Sequence, residues 1–138
     1  MARPEGWVSR SPMADLESKL GIEPIDRLLA ERDELVEQSA TLHARHGAWG
    51  TFDAERKAKL AVIAALLRAQ ALRDNVKVTE ASLTEAAHAS GEYMTFVTLA
   101  TVERAELYRL ESRIQNIDQT VQRANMIGRY AASEARLS

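Results

Sequence analysis

A chain of 138 residues with a net charge of −2 is sized for a single domain, and its near-neutral balance shows no global pull toward nucleic acid or a membrane surface. Apolar residues make up 46% but aromatics only 5%, because much of the apolar count is alanine, and this predicts a thin core. The lack of cysteine excludes disulfides, thiolate metal sites and cysteine nucleophiles, and fits an intracellular protein.

Residues 1 to 21 carry Pro4, Gly6, Pro12 and Gly21 among serines and charges, which predicts a flexible N-terminal tail that Trp7 can dock. Pro24 then suits a first helical turn. Ile25, Leu28, Leu29, Leu35, Val36 and Leu42 follow at helical spacing until Gly47, giving a helix over about 24–46. A loop with Gly47 and Gly50 around Trp49 leads to Thr51 and Asp53, either of which can cap a second helix over about 53–74. That helix is apolar on every face from Leu60 to Leu67, so burial between other helices is expected. Asp74-Asn75 breaks it, and Thr79 with Glu80 opens a third helix over about 80–89. Ser90 and Gly91 either separate this from a fourth or mark a bend.

The fourth helix, about 92–137, is the most informative element. Leu107, Leu110, Ile114, Ile117, Val121, Ala124, Gly128, Ala131 and Ala135 recur at alternating intervals of 3 and 4, the period of a coiled coil. The seam is strongly apolar up to Val121 and built of small residues after it. At about 1.5 Å per residue such a helix is ~69 Å long, too long for a sphere of this chain's size. The fold expected is therefore all-α: an antiparallel helical hairpin, a short helix, then a long C-terminal coiled-coil-like helix, making residues 22–138 one elongated domain. The first two helices can line the seam in tandem or as the hairpin. The hairpin arrangement leaves half of it uncovered and predicts self-association through the residues from Leu107 to Ala131.

Candidate sites for chemistry are sparse. Glu85 and His88 have the E-x-x-H spacing of di-iron bundles, but there is only one copy. His43 and His46 share a helix face without a third ligand. Residues 83 to 102 partly fit a helix-turn-helix register. The surrounding stretch, 79–106, carries Glu80, Glu85, Glu92, Glu103 and Glu106 against Arg104 alone, the wrong sign for a groove-entering helix. Residues 51–78 are mildly basic through Arg56, Lys57, Lys59, Arg68, Arg73 and Lys77. The last helix carries Arg109, Arg113, Arg123, Arg129 and Arg136 near Tyr108 and Tyr130, a set that could track single-stranded nucleic acid. Trp49, Phe52, Tyr93 and Phe96 read as anchors of the helix junctions, with Trp49 also a possible partner contact. No cofactor, metal or catalytic residue is expected. The longest apolar stretch, Leu60 to Leu67, is too short to span a bilayer, so the expectation is a cytoplasmic protein with no membrane partner.

Val78-Thr79-Glu80-Ala81, then Tyr93, then Glu103-Arg104 leading to Ile127-Gly128-Arg129-Tyr130-Ala131-Ala132-Ser133-Glu134-Ala135-Arg136-Leu137, form a pattern over roughly residues 51 to 137. It resembles small helical bacteriophage and prophage accessory proteins encoded near recombination or replication genes. The resemblance implies a phage origin, a bacterial host and a role near single-stranded DNA metabolism, and carries over no catalytic residue. The expected function is a non-enzymatic helical adaptor or self-associating accessory protein, its partner a second copy or another helical protein. The alternatives are a nucleic-acid-binding protein using the arginines of the last helix, and a virion structural or assembly protein.

Overall fold

The structure, a computed structural model, describes residues 12–137. Among them five helices run in chain order: α1 Pro12–Leu20, α2 Ile25–His46, α3 Phe52–Arg73, α4 Glu80–Ala89 and α5 Gly91–Leu137. The all-α class and the four expected helices are present to within a residue at each end. Residues 12–20 depart from the expected tail. Pro12 sits in the first turn, where its missing N–H is no loss, and Gly21 at φ +65° closes the helix. The N–H of Gly21 donates to Ser18 and that of Ile22 to Glu17, the two bonds of a left-handed glycine cap. Trp7 lies outside the described residues.

The chain divides into two compact units: a central unit of residues 38–110 and a terminal unit formed by the segments on either side of it. In the terminal unit Ile25, Leu28 and Leu35 of α2 and Ile117 and Ala124 of α5 are buried, each set on one helical stripe. Glu31 pairs with Arg113 through two bonds of 2.8 Å, and Arg32 with Asp118 at 2.6 Å, tying α2 to α5. Leu16 of α1 reaches Gly128, its Cδ2 lying 3.4 Å from where a Cβ would stand.

In the central unit α3 is closed just past its end by Asn75, a left-handed residue at φ 55° that completes the same type of cap as Gly21. The expected antiparallel hairpin is present with a different second arm. Arg68 pairs with Glu80 at 2.6 Å and Lys59 with Glu92 at 2.7 Å, so α3 is met by α4 and the first turns of α5. The ion-pair and ring contacts of α3 with α2 are at Arg45 and His46. The reason is apolar: Ile63, with Leu60, Ala64 and Leu67 beside it, packs into a core with Ala87, Tyr93, Phe96 and Val97. Thr79 and Ser82 form a reciprocal capping box at the start of α4. Ser90 both ends α4 and starts α5, its Oγ accepting from the Tyr93 N–H at 3.2 Å, so the sequence break is a true helix boundary.

Candidate interaction faces

The long seam of α5 is largely spent on the chain's own packing. Leu107, Leu110, Ile117 and Ala124 are buried, and Ile114, Val121 and Gly128 are half-buried. Only Ala131 and Ala135, at the far end, are exposed. Most of the stretch from Leu107 to Ala124, expected to wait for a second chain, is therefore already covered by the chain itself. Those side chains lose their water inside one chain, and a second copy would have to displace them.

The arginines of α5 do not gather on one face. Arg109 is held by Glu106 at 2.6 and 3.0 Å, and Arg113 by Glu31. Both guanidinium groups are held more firmly protonated by the hydrogen bonds of these carboxylates, which are in turn pushed below the ordinary glutamate value. Arg123, Arg129 and Arg136 are exposed, but at 3.6 residues per turn Arg123 points away from the side shared by Arg129 and Arg136. The basic residues of α3 are mostly neutralised locally. Arg56 and Lys57 share Asp53, which they hold below the ordinary aspartate value, Arg56 contributing first.

Three of the four aromatic anchors close the central unit. Phe52 and Phe96 stack with centroids 5.5 Å apart, His46 packs on Phe52 at 5.0 Å, and the Arg104 guanidinium lies 4.5 Å above the Phe52 ring. Arg45 stacks near both phenyl rings and forks to Glu103 at 2.6 and 2.9 Å. The imidazole of His46 is fully enclosed and makes no hydrogen bond, with Nε2 3.4 Å from the nearer Glu103 oxygen. Histidine spacing gave no sign of this cluster, which depends on the Gly47–Gly50 turn folding α3 back. A Cβ at Gly50 would stand 2.2 Å from the Arg45 carbonyl oxygen, so only glycine fits there. Trp49 takes no part in this closure and is completely exposed. The Nδ1 of His88 lies 2.8 Å from the Thr84 carbonyl oxygen and its ring meets Tyr93 edge-on. No group of metal-ligating side chains is present among the described residues.

The feature that the sequence did not announce is the outer face of α3. The expected all-round burial of this helix is corrected: Ile63 is buried, whereas Val62, Leu66 and Leu72 are 56%, 61% and 80% exposed. At helical spacing these three share a side with Ala54, Ala58, Ala61, Ala65 and Ala69, all exposed. The stripe runs about 27 Å at about 1.5 Å per residue, with Glu55 and Arg73 as the charged residues at its two ends. A second uncharged face lies on α5, where Met94, Leu99 and Val102 are exposed and the hydroxyls of Thr95, Thr98 and Thr101 turn back to their own helix carbonyls. A tandem-alanine run with leucine and valine at alternate turns was the available signal, hidden because it was read together with the buried side.

No family model, curated protein or solved structure matches this chain. No described helix is long and apolar enough to cross a membrane.

Proposed function

We propose that this chain is a non-enzymatic helical adaptor or self-associating accessory protein that acts by protein–protein contact. The observation that carries the reading is the outer face of α3, a continuous apolar strip with Val62, Leu66 and Leu72 standing in water. Scattered apolar residues on a surface need no explanation, but a contiguous strip of this length does. It is built as interaction helices are, with Val62, Leu66 and Leu72 set among alanines at helical spacing that let another backbone approach. The setting, phage DNA recombination or replication in a bacterial host, rests on the sequence resemblance.

A photo-cross-linking residue placed at Leu66 tests this in host cells. The adaptor reading expects one discrete adduct, absent when the same residue replaces Glu111 on exposed α5. Two identical patterns of diffuse adducts, or no adduct at either site, would contradict it.

A further inference from the structure

We infer that the occupant of the outer α3 face is a second copy of this chain, its α3 running antiparallel to the first. The inference rests on the adaptor reading of that face and names its partner. Ala58, Val62, Ala65, Ala69 and Leu72 recur at intervals of 4, 3, 4 and 3, a seam centred on Ala65. Turned about a two-fold axis beside Ala65, the strip meets itself. Ala58 comes opposite Leu72 and Val62 comes near Leu66, so a small residue or a diagonal neighbour receives each large one.

The charges at the ends of α3 complete the match. Glu55 and Arg73 lie five turns apart on the same flank of the strip, so in the antiparallel pair each faces its opposite on the other copy. Arg73 is exposed and has no ion-pair partner among the described residues. Glu55 keeps one oxygen on Arg45 at 2.8 Å with the carboxylate still 44% exposed. The cations on the other flank are already held within the chain, Lys57 by Asp53 at 3.1 Å and Arg68 by Glu80 at 2.6 Å, so like charges do not oppose the approach. A parallel pairing would leave Glu55 and Arg73 of the two copies five turns apart, with neither charge meeting its opposite.

The same rotation carries Leu72 and the exposed Val76 of one copy to the start of the other's α3, where Trp49 stands fully exposed in its glycine turn. A tryptophan on each side adds a large apolar side chain to the surface the pair would cover.

Engineered cysteines test the register, because the chain has none of its own. Ala65→Cys should oxidise to a covalent dimer, since two copies of this position sit across the axis within disulfide reach. Ala54→Cys should not, because its two copies would stand about 33 Å apart along the helix at about 1.5 Å per residue. Cross-linking at both positions would mean a parallel pair and overturn the inference. A second measurement reads charge without relying on disulfides. Arg73→Glu should weaken dimerisation about tenfold, counting two symmetric pairs. Adding Glu55→Arg should restore it to within about threefold, although that change also breaks the pair with Arg45. A double variant no tighter than either single would overturn the inference. If the Leu66 adduct proves to be a different protein, the adaptor reading stands and this one falls. If there is no adduct of any kind, both fall.

Discussion

Gly128 shows how a single position changes meaning between sequence and structure. On the seam it is one of the small residues that follow Val121. The nearest atom to an added Cβ is the far end of Leu16 at 3.4 Å, ordinary van der Waals contact with a flexible side chain. Gly128→Ala should therefore stabilise the protein by about 0.5–1 kcal/mol, the gain from removing a helical glycine, measured by chemical denaturation. A loss of stability would show that α1 cannot give way there. Gly50 is the contrasting case, where a Cβ would run into backbone. Nothing in the sequence distinguishes these two glycines, because the difference lies in what another segment brings within reach. Trp49 is similar. Its type suggests an anchor, its place in a glycine turn suggests exposure, and only the turn's direction decides.

At the scale of elements, helix boundaries were the most legible part of the fold. Thr79, Ser90, Asn75 and the Gly47–Gly50 turn act locally, through hydrogen bonds to residues three to five away, so spacing alone exposes them. The helix α1 escaped because Pro12 and Gly21 were counted as breakers, whereas one opens a helix and the other closes it. Which face of α3 is buried was not legible, since both faces are apolar and the choice rests on the Ala87–Tyr93 core meeting Ile63. The ties between α2 and α5 also carry a prediction. The hydrogen bonds from Arg113 hold Glu31 below the ordinary glutamate value, so its contribution is fully present above that value. It is lost as pH falls below about 4.5 and through the lowered folded-state value. Thermal melts of Glu31→Gln should lie below wild type at neutral pH and converge with it on acidification below pH 4.5. A constant gap across that range would mean that the pair does not titrate with folding.

At the scale of the whole molecule, the proposed association uses a different surface from the one the sequence suggested. The α5 seam was the natural candidate, yet Leu107, Leu110, Ile117 and Ala124 are buried within one chain, while α3 keeps Val62, Leu66 and Leu72 outside. Periodicity finds a seam but cannot say which helix of the same chain already covers it. The central claim is that association runs through α3 and leaves the α5 seam internal. Light scattering across a concentration series, on wild type and on Leu66→Lys, tests it most directly. The account predicts a wild-type mass rising to twice the 15.3 kDa of the chain, and a Leu66→Lys variant that stays at one chain mass with unchanged helix content. A wild type that remains a monomer at every concentration, or a dimer untouched by a lysine at Leu66, would contradict it.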